Sequence, residues 1–341
     1  MILFNSDYLE GAHPEVLRHL TETNMVQTGG YGEDSFCHSA AEKIRTACCA
    51  PNAAVHFLVG GTQTNTTVIC SMLRPHEGVF SAETGHINTH EGNGVESTGH
   101  KVLPLPHNQG KICASDIEAA YLLWKNDGAW EHVVKPGMVY LSQPTETGMV
   151  YSKAELTAIR EICLKYHLPL FIDGARLGYA LASEGNDVTL ADLAQLCDVF
   201  YIGGTKVGAL FGEAVVVPDP KFLTGFRSIM KQRGALLAKG RLLGIQFDTL
   251  FSDNLYFQIS QHAIQMAMKL KNGFLQKGYN FSFESPTNQQ FPILSTEQMK
   301  KLSKVFSFED FGPVDKDHHC CRFCTSWATR EEDVDALLAA I

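Results

Sequence analysis

The sequence predicts an α/β fold in which helices cover a mostly parallel sheet, followed by a smaller C-terminal α/β domain. The length of 341 residues suits two domains rather than one or three. In the middle of the chain, helical patterns alternate with short apolar runs that end in Gly, Asp or Ser, which is typical of parallel sheets. Past Gly244 the pattern changes. We therefore expect a large domain over residues 1–245 and a small one over residues 246–341.

Three buried strands are predicted in the large domain, at Val139–Ser142, Leu168–Ile172 and Asp198–Ile202. Between the first two, Ser152 and Glu155 form a capping box, because each side chain can satisfy a free amide at a helix start. The helix that follows is expected to run to about residue 166. Each strand ends in polar residues or glycine. Ligands bind at these ends of parallel strands, so this edge of the sheet is where we expect the functional site.

The small domain is predicted to begin with a long helix from about Asn254 to Gly273. Short alternating runs follow at Gln289–Leu294 and Arg322–Thr325, and a last helix is expected from Glu331. No internal repeat and no linker separates the two domains, so the boundary is not marked in the sequence.

Composition and charge exclude several classes of protein. The net charge of −9 lacks the excess of Lys and Arg that nucleic-acid binding requires. No run approaches 18 apolar residues, and the first fourteen residues carry Asp7 and Glu10 where an export signal would be positively charged. We therefore expect a cytoplasmic protein with neither a membrane nor a nucleic acid as partner, and with its ten cysteines reduced.

A cluster of His and Cys near the end of the chain raises the question of a metal or redox site. Cys321 and Cys324 have the spacing of a ligand pair, and His318, His319 and Cys320 are adjacent. No second ligand pair stands at a defined spacing, as a zinc site would require. Strand-like alternation explains the segment more simply, so no metal is expected.

Lys206 follows a predicted strand directly, in the segment Gly203–Gly208. A charged side chain at this position points into the ligand edge of the sheet, where partial desolvation lowers the pKa of an amine. A neutral amine is the form that makes a Schiff base with an aldehyde. The alternative is a surface lysine in a flexible glycine loop, and this residue alone does not decide between the two.

Asp173 ends another predicted strand, where burying an acid is costly unless it meets a cation. A protonated pyridine nitrogen of a cofactor is one such cation. Arg176 is another, and a structural ion pair between Asp173 and Arg176 is the alternative. The planar guanidinium of Arg176 also suits a substrate carboxylate.

The segment Val59–Asn65 predicts a strand end, a glycine turn and a helix start, whose free amides could bind a phosphate. It lacks the Lys-Ser/Thr ending of a nucleotide-binding P-loop. His86 lies between this turn and Asp173 in the chain, and its imidazole could stack on an aromatic cofactor.

Taken in order, these motifs resemble the low-specificity threonine aldolases, which depend on pyridoxal 5′-phosphate (PLP) and have fold type I, the aspartate aminotransferase fold. The core of the resemblance is the Gly60-Gly61-Thr62-Gln63 turn, His86, Asp173–Arg176 and Lys206. It extends to Ser6-Asp7, Tyr31–Asp34, Thr287–Gln289 and Arg322–Thr325. The resemblance thus spans nearly the whole chain and implies a seven-stranded type of sheet.

The resemblance implies a role for each matching residue. Lys206 would form the Schiff base with PLP, His86 would stack on the cofactor ring, and Asp173 would bind the ring nitrogen. The implied remaining contacts to the cofactor are Gly60, Gly61, Thr62, Arg176 and Thr205, with Lys231 and Arg241 reaching a neighbouring subunit's site. The implied substrate contacts are Ser6, Tyr31, Arg176 and Arg322. Sites shared in this way imply a homodimer or homotetramer.

The implied reaction is cleavage of L-threonine or L-allo-threonine to glycine and acetaldehyde. One position departs from the family pattern: Glu146 stands where members usually carry a His that contacts the substrate hydroxyl. Glu146 could accept the hydroxyl proton itself or select another side chain. Alternatives are β-elimination, decarboxylation or transamination on the same scaffold, a non-catalytic protein that keeps the fold, and a metal protein.

Overall fold

The computed structural model describes residues 1–341. The strands are β1 Ile2–Leu3, β2 Ala54–Leu58, β3 Glu77–Ala82, β4 Lys101–Leu105, β5 Lys135–Ser142, β6 Leu170–Asp173, β7 Val199–Gly203, β8 Glu213–Val217, β9 Gln289–Gln290, β10 Ile293–Ser295, β11 Phe306–Ser307, β12 Glu309–Pro313 and β13 His318–Cys324. The α-helices are α1 Pro14–Glu22, α2 Ser35–Ala47, α3 Gly61–Met72, α4 His86–Thr89, α5 Ala114–Lys125, α6 Lys153–Tyr166, α7 Leu177–Ala182, α8 Leu190–Leu196, α9 Phe226–Gln232, α10 Arg241–Leu250, α11 Leu255–Gln276, α12 Thr296–Leu302 and α13 Glu331–Ala340.

The central sheet has seven strands in the order β2-β8-β7-β6-β5-β3-β4. The pairs from β7 to β4 are all parallel, whereas β8 is antiparallel to both of its neighbours. The predicted mostly parallel sheet of seven strands is therefore confirmed. Its parallel strands present their carboxyl ends along one edge.

Helices bury both faces of the sheet. Along β7, Phe200 and Ile202 belong to one apolar cluster while Val199 and Tyr201 belong to another on the opposite face. This alternation follows from the pleat of a strand, in which successive side chains point to opposite faces. Strands that are buried on both faces have continuous apolar sequences, which is why these strands could be predicted from the sequence.

The predicted elements of the large domain are confirmed with small shifts at their ends. β5 and β7 contain or overlap the predicted strands, and β6 ends on Asp173. Before α6, the Ser152 hydroxyl accepts from the Glu155 amide at 3.2 Å, and the Glu155 carboxylate accepts from the Ser152 amide at 2.8 Å. The capping box is thus formed as predicted.

The part of the chain predicted to form the small domain contains a sheet in the order β10-β13-β12, with β9 also paired to β13. β1 from the start of the chain pairs in parallel with β11, so the first residues contribute to this part of the molecule. Residue 245, the predicted boundary, lies within α10. The apolar clusters divide later, inside α11, where Ala263 packs with the large core and Leu270 with the small one.

None of the helices combines the length and the apolar composition needed to cross a membrane.

Candidate active site

A cavity of about 310 Å³ lies at the carboxyl ends of β5, β6 and β7. Most of its lining consists of residues that the sequence singled out: Gly60, Gly61, Thr62, His86, Glu146, Asp173, Arg176, Thr205 and Lys206. Further lining residues are Tyr8, Tyr201 and Glu213. Residues far apart in the chain thus meet at the edge of the sheet where a ligand is expected.

Asp173 is buried and held by several donors. The Tyr140 hydroxyl donates to its Oδ2 at 2.6 Å, the Tyr201 hydroxyl to its Oδ1, and the Asn65 amide to its Oδ2 at 3.0 Å. Burial opposes ionisation, but the neighbouring His86 and the two tyrosine hydroxyls outweigh it and hold the pKa of Asp173 below its usual value. The carboxylate is therefore ionised and available to a cationic group in the cavity.

His86 begins α4, and a buried glutamate orients its ring. Nδ1 of His86 lies 2.8 Å from Oε1 of Glu91, whose side chain is fully buried. The Asn65 amide donates to the same Glu91 oxygen at 2.7 Å and also to Asp173. Asn65 therefore links the two side chains that the sequence assigns to the ring of the cofactor.

Lys206 stands in the turn after β7 and takes part in none of the ion pairs of the structure. Its Nζ lies 5.9 Å from the centre of the Tyr8 ring. Burial, and secondarily the positive charge of Arg176, lower the pKa of Lys206. An unpaired amine with a lowered pKa is a competent nucleophile towards an aldehyde. The alternative of a flexible surface lysine does not fit this position.

Arg176 pairs with Asp7 rather than with Asp173. Its Nε and Nη2 donate to the two Asp7 oxygens at 2.6 and 3.1 Å. Asn288 also donates to Asp7, at 2.9 Å. The structural ion pair considered between Asp173 and Arg176 is therefore not formed, which leaves Asp173 without a cationic partner.

A second cavity, of about 520 Å³, adjoins the first and shares part of its wall. The shared residues are Tyr8, His86, Glu146, Arg176 and Lys206, and the second cavity adds Asn5, Ser6, Glu309 and Arg322. The Ser6 hydroxyl is buried there without a hydrogen-bond partner. Arg322 pairs with Glu309 and donates to Gln289 at 3.2 Å. The cavity thus brings two guanidinium groups and an unsatisfied hydroxyl beside Lys206.

The start of α3 is suited to bind an anion. Gly60 is the N-cap residue, and no side chain caps the helix, so the first amides of α3 are left for another acceptor. Gly60, Gly61 and Thr62 all line the first cavity. A helix start with free amides facing a cavity binds phosphate groups well.

Glu146 lies in the wall between the two cavities. The Ser142 hydroxyl and the His86 backbone amide donate to its Oε1 at 2.7 and 2.9 Å. Because both donors reach the same oxygen, Oε2 is available to a ligand. Burial raises the pKa of Glu146 above its usual value.

Three residues assigned by resemblance lie outside both cavities, namely Tyr31, Lys231 and Arg241. Nζ of Lys231 lies 4.6 Å from the centre of the Tyr31 ring, so these two side chains form a cation–π pair. Arg241 donates to the carbonyl oxygens of Val26 and Thr23. Within one chain, none of the three reaches Lys206.

The late Cys/His segment forms strand β13, as its alternation predicts. His318 pairs with Asp315 and His319 with Asp310, so both rings have carboxylate partners. No group of three or more His, Cys, Asp or Glu side chains is arranged to hold a metal ion. All ten cysteines are free thiols.

Sequence reasoning missed several residues of the site. Tyr140 and Tyr201 sit inside apolar strands, where a hydroxyl needs a partner, and this was their only signal. Glu91 follows His86 by five residues and carries no motif. Glu213 opens a strand, an unusual place for an acid in an otherwise apolar run.

The residues present fit PLP. Asp173 offers an ionised carboxylate, Lys206 an unpaired amine, and the start of α3 free amides. These are the partners of a pyridine nitrogen, an aldehyde and a phosphate respectively. The fold and the cavity together define a PLP-dependent enzyme of fold type I.

Comparison with known proteins narrows the class. Residues 4–293 match the family described as beta-eliminating lyase. A low specificity L-threonine aldolase from a Pseudomonas species is 30% identical, over 99% of this chain and 96% of the relative. The structure of a Leishmania major threonine aldolase is 44% identical, with a TM-score of 0.96 over 99% of this chain and 98% of the neighbour.

A more distant neighbour supports the fold alone. An aspartate aminotransferase from Thermus thermophilus is 14% identical, with a TM-score of 0.74 over 100% of this chain and 90% of the other. The chain belongs to the beta-eliminating lyase family. It is therefore a PLP-dependent lyase.

Proposed function

We propose that this enzyme cleaves the Cα–Cβ bond of L-threonine, L-allo-threonine or a related β-hydroxy-α-amino acid, releasing glycine and an aldehyde, which is acetaldehyde from threonine. The observation that carries this proposal is Glu146, a carboxyl group with a free oxygen in the wall between the two cavities. Breaking this bond requires a group that accepts the proton of the β-hydroxyl. The names of the relatives, which are threonine aldolases, agree with this assignment.

PLP would be held by residues of the first cavity. Lys206 would bind its aldehyde carbon, Asp173 its ring nitrogen, and the amides of Gly61 and Thr62 its phosphate, with His86 stacked on the ring. Bound PLP supplies an electron sink for the pair of electrons left at Cα when the bond breaks. Asp173 favours this chemistry because an ionised carboxylate keeps the ring nitrogen protonated.

The substrate carboxylate would lie in the second cavity, between Arg176, Arg322 and Ser6. The unpartnered Ser6 hydroxyl supports this, because a buried donor without an acceptor is costly unless a ligand satisfies it. Arg176 keeps its orientation through the bidentate pair with Asp7. Arg322 would exchange its partner Glu309 for the substrate carboxylate.

Glu146 would then accept the proton of the β-hydroxyl on Oε2. The donors Ser142 and His86 hold Oε1 still, which fixes the direction of the free oxygen. A carboxyl whose pKa is raised towards the working pH is a better base than an ordinary surface glutamate. After the aldehyde leaves, Glu146 holds the proton close to Cα of the product.

The test is a product assay. Incubation with L-allo-threonine is expected to yield glycine and acetaldehyde in equal amounts. Release of pyruvate and ammonia from a cysteine-like substrate, without aldol cleavage, would overturn the proposal in favour of β-elimination. A colourless protein that gains no Schiff-base absorption with PLP, or whose Lys206→Ala variant keeps that absorption, would contradict the proposed role of Lys206.

We also propose that the enzyme acts in the cytoplasm as a homodimer or homotetramer with shared active sites. Support for sharing comes from Tyr31 and Lys231, which form one exposed pair outside the cavities of their own chain. These two residues, with Arg241, would complete the site of a neighbouring subunit. Free thiols throughout the chain agree with a reducing compartment.

A further inference from the structure

Glu213 is a buried acid in the cofactor cavity for which the proposed reaction has no use. It is 3% exposed and stands at the start of β8, opposite Gly203 of β7. It lines the same cavity as Gly60, Gly61 and Thr62. An ionised carboxylate would be unfavourable beside the proposed phosphate-binding site, because two anions close together repel each other strongly in a site of low polarity.

Glu213 accepts hydrogen bonds from Thr205, the residue before Lys206, and from Gly204. The Thr205 hydroxyl donates to Oε1 at 2.9 Å, and the Gly204 amide donates to Oε2 at 3.2 Å. The Gly212 amide donates to the Thr205 hydroxyl oxygen at 3.0 Å. A hydroxyl has one proton and two lone pairs. While Glu213 is ionised, Thr205 therefore has no proton left for a phosphate in the cavity.

The titratable groups that interact electrostatically with Glu213 lie on β6, on β7 and the turn after it, and on α11. They are Lys206 after β7, Asp173 of β6, Tyr201 of β7 and Tyr256 of α11. Burial raises the pKa of Glu213 to about 8, against the opposing effects of the Thr205 hydrogen bond and the charge of Lys206. A phosphate dianion beside Thr205 would add negative charge and favour the neutral acid further.

Building on the proposed PLP site, we propose that Glu213, where it is ionised in the cofactor-free protein, takes up a proton from solvent when a phosphate dianion binds beside Thr205. The neutral acid then donates its proton to the Thr205 oxygen, which still accepts from Gly212. The Thr205 hydroxyl is thereby free to donate its own proton to the phosphate. Glu213 acts as a positioning residue that couples phosphate binding to proton uptake.

The test counts protons on ligand binding. Full-length protein freed of cofactor by a carbonyl reagent is titrated with PLP and, separately, with pyridoxal, which forms the same bond to Lys206 but lacks the phosphate. Calorimetry in buffers of different ionisation enthalpy gives the protons taken up. At about pH 8.5 a phosphate ester is fully ionised, because its second pKa is about 6. Both ligands form the same Schiff base with Lys206, so this step contributes to both proton counts.

We expect PLP to take up more protons than pyridoxal in the wild-type protein, by a large part of one proton, and Glu213→Gln to remove the difference. Equal counts for the two ligands in the wild type, or a difference that persists in Glu213→Gln, would overturn the inference. Equal counts in the wild type would overturn the inference even where the variant does not fold.

A second readout uses the holoenzyme. The infrared difference spectrum between holoenzyme and cofactor-free protein should contain a carboxylic-acid carbonyl band that Glu213→Gln removes and Glu146→Gln, the matched control, keeps. A band that only Glu146→Gln removes would refute the assignment to Glu213. Failure of the PLP site itself is distinguishable, because the protein would then show neither binding heat nor visible absorption with PLP.

Discussion

Glu146 differs from the other carboxylates of the site because its two oxygens have different surroundings. Oε1 accepts from Ser142 and from the His86 amide, and Oε2 is left to the ligand. We expect Glu146→Gln to lower kcat for aldol cleavage by about 10²–10⁴-fold, the usual effect of removing a general base. The Schiff-base absorption should persist, because Lys206 and Asp173 are unchanged. Steady-state kinetics and a visible spectrum measure the two effects.

Ser142→Ala is the matched control, since it removes one donor to Oε1 and keeps the carboxyl group. Its kcat should fall by less than that of Glu146→Gln. The pH profile of its kcat should shift to higher pH, because loss of a donor to a carboxylate raises its pKa. A Glu146→Gln enzyme with unchanged kcat would show that another group receives the proton.

The residues of the site differ in how far the sequence could identify them. Lys206 and Asp173 follow apolar strands, and position alone suggests an exposed ligand edge. The partners of Asp173 could not be found in the same way. Tyr140 and Tyr201 reach it from two strands on either side, and the order of strands in a sheet is a tertiary property that no local pattern contains.

At the scale of elements, the contact between α2 and α10 leaves no room for a side chain at Gly244. A Cβ there would lie 2.6 Å from the Cys37 amide nitrogen and 2.7 Å from its Cα. We expect Gly244→Ala to lower the free energy of unfolding by about 1–3 kcal/mol, because backbone atoms must move apart. Urea unfolding measures the effect.

Gly128→Ala serves as the control for Gly244→Ala, because a Cβ at Gly128 meets nothing within 4 Å. Its free energy of unfolding should stay within about 0.5 kcal/mol of the wild type. Equal stability of the two variants would mean that α2 and α10 are not in close contact.

The elements that the sequence predicts well are those with local signals. α6 begins at a capping box, and β5, β6 and β7 are apolar runs with clear ends. The reversed direction of β8 has no such signal. Its direction nevertheless brings Glu213, its first residue, opposite Gly203 and into the cavity. A residue of the cavity was therefore missed because the pairing of its strand is non-local.

For the whole molecule, His56 of β2 makes stability depend on pH. Burial, with smaller effects of Arg227 and Arg45, lowers its pKa from 6.5 to about 4. Between these values the unfolded chain binds a proton that the folded chain does not, so stability is fully present above about pH 6.5 and falls as the pH drops towards 4. We expect a loss of about 1–3 kcal/mol over this window from His56 alone.

The measurement is urea unfolding at pH 7.5 and pH 5 for the wild type and His56→Gln, which carries no titrating ring. The variant should lose less stability on acidification than the wild type. His38→Gln is the control, since the His38 side chain is 68% exposed. An identical pH dependence in the wild type and His56→Gln would refute the assignment.

The predicted division into two domains can be set beside the helices and the apolar clusters of the molecule. A change of pattern near residue 245 predicts a boundary, yet α10 runs through it and the apolar clusters divide within α11. A single helix can contribute to two cores because its two halves pack against different neighbours. The pairing of β1 with β11 likewise joins the chain's first residues to the small domain. Only the folded chain reveals such contacts between distant segments.

The proposed sharing of active sites between subunits can be tested by complementation of two inactive variants. Lys206→Ala disables the subunit that holds the cofactor, and Lys231→Ala disables what we propose to be the contribution to a neighbour. Each variant alone should be inactive or nearly so. If the variants are mixed and their subunits exchange, half of the dimers are hybrids. In each hybrid, one of the two sites combines an intact Lys206 with an intact Lys231 from the partner. Activity should then recover to about a quarter of the wild-type value, as expected for a symmetric dimer with sites at the interface.

Differently tagged variants allow exchange to be verified by co-purification. Verified hybrids without recovered activity, or a fully active Lys231→Ala enzyme, would show that each chain builds its site alone and that the Tyr31–Lys231 pair serves only its own surface.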